Sequence, residues 1–322
     1  MIASLLISGT FIMLTAWVLV ALLPESAHEN RRRLLLFALL LLTLSPFAQW
    51  LMKNSGVSLT VHTSGPGLDH WVAPHAFPMI KGLAFVWLMG MLVSLTRTIR
   101  SWMRAHSLNR KSLRKSAGTS LYQAVPVGFS SEVSTACVSP GWPSRVLLPE
   151  AAFAWDQATL TCVLRHEQEH LRRGDVWWML LVQVVRAVWW FHPLVHQLAS
   201  RFLQECEHVC DEAVVRSGVA PEVYARTMLE LADAPGHSAT ATAFLGVSPS
   251  RLRLRVAAIL RDSESGRAQF KTLGWLALAM LAVLAGVFTL LHFDGESSLS
   301  AKTPIETEAK LRLSANPFPG NE

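Results

Sequence analysis

The chain has 322 residues and a formal net charge of +6; 51% of it is hydrophobic and only 16% charged, giving a mean hydropathy of +0.31. In soluble domains about a quarter of residues are charged, so this balance excludes an ordinary soluble protein and assigns much of the chain to lipid. The positive charge does not indicate nucleic acid, because the basic residues gather beside the apolar runs, where headgroups and the insertion rule account for them.

Four apolar runs are long enough to span a bilayer: Ile2 to Leu23, Leu34 to Leu51, Met79 to Leu95 and Leu273 to Leu291. The first lacks the basic segment that opens a signal peptide and reads as an anchor. Arg31, Arg32 and Arg33 separate the first two runs, and Lys53 is the only Lys or Arg between the second and third. Arg97, Arg100, Arg104, Arg110, Lys111, Arg114 and Lys115 follow the third. The positive-inside rule therefore expects an exterior N-terminus, a cytoplasmic segment over 96–271 and an exterior tail. Cys137, Cys162, Cys206 and Cys210 all fall in that cytoplasmic segment and are expected to be reduced.

The division expected is three transmembrane helices in 1–95, a basic juxtamembrane connector in 96–120, a cytoplasm-facing domain in 121–271, a fourth transmembrane helix in 272–292 and a short tail in 293–322. Within the domain, β-prone runs at 121–127, 132–138 and 144–148, broken by Gly, Pro and Ser, predict a small sheet. Asp156 is placed to cap a helix that stops near Gly174, and Asp175 to cap the next. That next helix, DVWWMLLVQVVRAVWWFHPL, is apolar, but Gln183, Arg186 and Pro193 interrupt it. It reads as a helix buried in the domain and resting on the membrane, with Trp177, Trp178, Trp189 and Trp190 as interfacial anchors. Helical patterns follow at 194–215 and 221–233, then a small-residue loop at 234–249 and the basic amphipathic stretch RLRLRVAAILRD.

The chemistry lies in TCVLRHEQEHLRRGD, residues 161–175. His166 and His170 are four apart, so a helix presents both imidazoles on one face with Glu167 beside them, the H-E-x-x-H arrangement of zinc peptidases. Catalytic zinc takes three protein ligands and keeps one position for water. Downstream, QECEHVCDEAVV supplies Glu205, Cys206, Glu207, His208, Cys210 and Asp211 as donors. Glu207 and Asp211 share a face, which suits Glu207 to the metal and Asp211 to hydrogen-bonding a ligand histidine. Glu205 points to nearly the opposite side and is expected to pair with Arg201 on its own helix. Cys206 and Cys210 lack a second close cysteine pair and read as small buried residues rather than a separate zinc site.

HEQEHLRRGD, then WWFHPLV, then ECEHVCDEAVV resemble the BlaR/MecR-type membrane metallopeptidases, whose pattern is H-E-x-x-H-x-x-R-x-D, W-F-[NH]-P-L and E-x-x-C-D. SSEVSTACVSPGWPSRVLLPEAA before these blocks, and YARTMLELA and SRLRLRVAAIL after them, are similar to the family as well. The resemblance implies a multi-span α-helical membrane protein carrying an inserted α+β zincin-like metallopeptidase domain of gluzincin type. It also implies Zn2+ held by His166, His170 and Glu207, Glu167 as catalytic base and Asp211 as supporting carboxylate. His208, Tyr224 and Arg255 are the candidates for stabilising an oxyanion.

By the same resemblance the chain is a signal-transducing protease, or antirepressor, of the bacterial cytoplasmic membrane. It would cleave a cytoplasmic regulator such as a DNA-binding repressor, and itself within 234–249. Sensor members carry a penicillin-binding domain after the last span, for which 293–322 is too short. Sensing would then fall to a separate partner or a second copy of the chain. Two alternatives are a housekeeping protease of HtpX-like type and a non-catalytic membrane receptor or scaffold. Cys210 before Asp211 and the W-F-H-P-L block favour the signalling peptidase over the housekeeping one.

Overall fold

Uninterrupted apolar sequence sets the framework. The computed structural model describes residues 2–55, 59–60, 76–112, 126–233, 249–262 and 271–292, and they are mostly helical. Helices α1 (Ile2–Leu22), α2 (His28–Ser55) and α3 (Ala76–Ser112) come first. Within them Leu5–Leu22, His28–Leu51 and Lys81–Ser112 are each long and apolar enough to cross a membrane. The fourth apolar run forms the last helix, Lys271–Leu290, in which Gly274–Gly286 is a shorter apolar stretch among the described residues.

The sequence expects a connector from residue 96, but α3 continues unbroken to Ser112. No Gly or Pro follows Gly90 within it, and Arg110 and Lys111 sit in its last turn, where cations suit the helix dipole. The rest of that connector, the start of the 121–127 run, most of the 234–249 loop and the tail after 292 lie outside the described residues.

Short β1 (Leu59–Thr60) pairs in parallel with β5 (Leu291–His292). The domain sheet contains β2 (Val127–Ser130), β3 (Cys137–Ser139) and β4 (Arg145–Pro149) in the order β2-β4-β3. β2 runs parallel to β4 and β3 antiparallel, with Cys137 opposite Leu147. β3 is shorter than the predicted 132–138. Ser130 Oγ accepts the Glu132 N–H and turns the chain there, competing with a ladder.

Helix α4 (Gln157–Arg173) starts where Asp156 Oδ1 accepts the Thr159 N–H at 2.8 Å. It ends at Gly174, left-handed at φ 64°, a conformation that favours glycine. The cap of α5 (Asp175–Val188) is Gly174 itself, so Asp175 is the first helical residue and its side chain is free for another task. Helices α6 (Pro193–Arg216), α7 (Pro221–Asp233) and α8 (Pro249–Asp262) follow, with α9 being Lys271–Leu290.

Two small cores hold the site-bearing helices. Phe129, Val146 and Leu148 of the sheet pack on Leu160 and Val163 of α4. Cys162, Val214, Tyr224, Met228 and Ile259 join α4 to α6, α7 and α8. The largest core unites α5 and α6 with the apolar helices: Ile12, Leu35 and Leu39 pack with Val185, Phe202 and Leu281.

Helix α5 therefore shares a core with the apolar helices. At its end the Trp189 ring occupies the space a side chain on Gly9 would need, and Trp190 does the same at Gly90. Trp87 Nε1 donates to Val188 O at 3.0 Å, Trp190 Nε1 donates to Trp87 O at 3.1 Å, and Thr10 Oγ1 lies 3.1 Å from His192 Nε2. The α5–α6 turn is thus level with Gly9 and Thr10, about 20 Å along α1 from its C-terminal end at 1.5 Å per residue.

Candidate metal centre

His166, Glu167 and His170 lie on the buried face of α4, each 7–8% exposed. Helical spacing brings the two imidazoles together, with ring centroids 4.9 Å apart and planes at 78°. α6 supplies Glu207 from across the cleft. His166 Nε2 is 3.6 Å from Glu207 Oε2 and His170 Nε2 is 3.5 Å from Oε1. Donor atoms of all three residues lie within 4.8 Å of one another.

These separations fit a single ion. Two ligands on a tetrahedral centre with bonds of about 2.0–2.1 Å are roughly 3.3 Å apart. The far side of each ring fits too. His170 Nδ1 lies 2.8 Å from Asp175 Oδ2, and His166 Nδ1 lies 3.2 Å from Asp211 Oδ1 and 3.0 Å from Tyr224 Oη. A carboxylate that accepts a hydrogen bond from Nδ1–H leaves Nε2 as the lone-pair donor, the arrangement found behind metal-bound histidines.

Charge is arranged to the same end. Burial would push Glu207 up, but the Arg255 guanidinium and the two imidazoles hold it well below the usual carboxylate range. Asp211 is likewise pushed up by burial and held down by Arg255. Arg255 forks onto both, with Nε 2.8 Å from Asp211 Oδ2, Nη2 2.6 Å from Oδ1, and Nη1 2.8 Å from Glu207 Oε2. Tyr224 Oη donates to Asp211 Oδ1 at 2.7 Å.

Of the three oxyanion candidates, Arg255 and Tyr224 thus have partners behind the ligands, and His208 stacks on His28 with centroids 4.5 Å apart. Burial and, after it, the nearby Glu167 carboxylate push the Cys137 thiol of β3 up to about 12. In the order β2-β4-β3, β3 is one of the two edge strands, and it packs against α4.

Two residues have roles the sequence reading did not give them. The sequence places Asp175 at a helix cap. It stands instead behind His170, near Cys210 Sγ at 4.0 Å, with Arg32 Nη1 at 3.5 Å and Arg173 Nε at 3.7 Å. The final D of H-E-x-x-H-x-x-R-x-D was the available signal. Glu205 does pair with Arg201, at 3.5 Å, but it is only 2% exposed and lies closer to His28 Nδ1, at 2.7 Å. Cys206 and Cys210 are fully buried, and all four cysteines are free.

Residues 40–259 match the model of the family described as BlaR1 peptidase M56. Over 144 residues the chain is 26% identical to the regulatory protein BlaR1 of Bacillus licheniformis, covering 41% of this chain and 24% of that protein. Over 146 residues it is 20% identical to the methicillin resistance mecR1 proteins of Staphylococcus aureus and Staphylococcus epidermidis, covering 42% of this chain and 25% of theirs. The aligned part amounts to about a quarter of the length of these curated relatives.

Proposed function

The chain belongs to the BlaR1 peptidase M56 family, and on that premise we propose that it is a membrane-embedded zinc endopeptidase of the bacterial cytoplasmic membrane, with its catalytic face toward the cytoplasm. Its apolar helices α1, α2, α3 and α9 are the spans, and the sheet and α4–α8 form a zincin-like domain of gluzincin type. The observation that carries this reading is the approach of two Nε2 atoms and one carboxylate to within 4.8 Å, while the Asp175 and Asp211 carboxylates face the two Nδ1 atoms as hydrogen-bond acceptors.

His166, His170 and Glu207 would hold the zinc, with Asp211, Tyr224, Arg255 and Asp175 fixing their orientation. When bound, the cation supplies Lewis acidity for peptide hydrolysis. Glu167 removes the proton of the attacking water and passes it to the leaving amine. An extended substrate adds to the edge of the small sheet around 132–148 by main-chain hydrogen bonds, which would bring its scissile bond toward Glu167.

The relatives' names, a regulatory protein and a resistance protein, support a signalling role. The substrate is then a cytoplasmic regulator such as a DNA-binding repressor, with self-cleavage in the 234–249 loop as a second event. The test is zinc content of the detergent-purified protein, paired with repressor cleavage and intact mass, for wild type and Glu167→Gln. Expected are one zinc per chain in both and cleavage only in wild type. Full cleavage by Glu167→Gln removes the assigned base, and absence of stoichiometric zinc removes the metallopeptidase reading.

A further inference from the structure

Residues 28–33, HENRRR, open α2 directly after an apolar helix, a place where basic residues ordinarily face headgroups and solvent. Only Arg33 does so, with 49% of its side chain exposed. His28, Arg31 and Arg32 are 5%, 5% and 9% exposed. Taking such groups out of water carries a desolvation cost that apolar side chains of similar size avoid, so stability alone does not explain their burial.

Their partners include carboxylates next to the candidate ligands, Glu205 on α6 and Asp175 at the α4–α5 junction. His28 Nδ1 is 2.7 Å from Glu205 Oε2 and Arg31 Nη1 is 3.7 Å from Glu205 Oε1, on α6 two residues before Glu207. The His28 ring also stacks on His208, one residue after Glu207. Arg32 Nη1 is 3.5 Å from Asp175 Oδ1, and the other oxygen of that carboxylate holds His170 Nδ1. Glu29 bonds Arg173 in the last turn of α4. One helical turn thus grips α6 beside its glutamate and the α4–α5 junction behind its histidine.

We propose that the first turn of α2 positions the metal site: His28 acts through Glu205 on the helix bearing Glu207, and Arg32 acts through Asp175 on His170. Both are positioning residues, since neither approaches the donor atoms themselves. The assignment rests on the reading of His166, His170 and Glu207 as zinc ligands.

Full-length protein in detergent tests it through zinc affinity, measured by chelator competition, and through the visible spectrum of the cobalt-substituted form, which reports ligand geometry. Arg32→Gln and His28→Gln should each weaken zinc binding by ~10-fold or more, the range for lost partners behind a ligand, and shift the cobalt bands. Arg32→Lys should recover most of the affinity, and Arg33→Gln should match wild type in both readouts. Should Arg32→Gln fail to fold, His28→Gln carries the test alone. Wild-type affinity and cobalt spectrum in the folded Gln variants overturn the positioning role while leaving the ligand set standing. A wild-type protein that takes up no stoichiometric zinc overturns the ligand set and this proposal together.

Discussion

Asp175 Oδ2 lies 2.8 Å from His170 Nδ1, five residues before it in the chain, because Gly174 between them turns the backbone through the left-handed region at φ 64°. Helix α4 ends and α5 begins at that one residue, folding the carboxylate back behind the ring. Asp175→Asn keeps the shape but loses the charge that orients and polarises the imidazole. Zinc affinity should fall by roughly 10–100-fold, measured by chelator competition. Affinity within twofold of wild type would show that His170 needs no carboxylate behind it.

Arg255 is the cation shared by Asp211 and Glu207, and it reaches them from α8, far along the chain. Arg255→Met removes the charge and keeps much of the volume. It leaves the buried Asp211 and the partly exposed Glu207 short of their partner, and breaking the buried Asp211 pair costs roughly 3–5 kcal/mol. The metal-free protein should show this loss in thermal unfolding, and zinc should restore part of it by neutralising Glu207. A melting temperature equal to wild type would contradict the pairing.

The imidazoles dictate how stability varies with pH. Burial pulls His166 down, but Asp211 and Glu207 raise it above its ordinary value of 6.5 in the metal-free protein. Burial also pulls His170 down, while Cys210, Asp175 and Glu207 raise it well above the same value. A histidine raised on folding contributes stability that is complete below its unfolded pKa and disappears as pH rises through the folded one. Zinc competes for the same lone pairs, so its affinity grows across that interval. Melting curves of the metal-free and zinc-loaded protein should therefore separate above pH 6.5 and approach each other below it. Parallel curves would mean that neither ring exchanges its proton for the metal.

Gly9 and Gly90 admit the rings of Trp189 and Trp190. Gly9→Leu and Gly90→Leu should push the α5–α6 turn away from α1 and α3, at a cost of roughly 1–3 kcal/mol typical of overpacking. Gly82→Leu is the contrast, since open space surrounds that position, and a better helix former there should be neutral or mildly stabilising. Equal melting temperatures for all three variants would rule out the wedge.

By itself the sequence determined whatever depends on spacing within one helix. H-E-x-x-H and the Glu207–Asp211 pair were legible because 3.6 residues per turn fixes which side chains share a face, wherever that helix later packs. The boundaries at Asp156 and Gly174 were legible because capping is equally local. Only the tertiary structure decided that Asp175 serves His170 rather than a helix end, and that Arg255 joins two carboxylates. It also decided that Glu205 meets His28 across 177 positions of sequence, and that α5 shares a core with the apolar helices. Those choices belong to packing: a charged residue such as Arg32 reads as a solvated flank until a neighbouring helix buries it and supplies its partner.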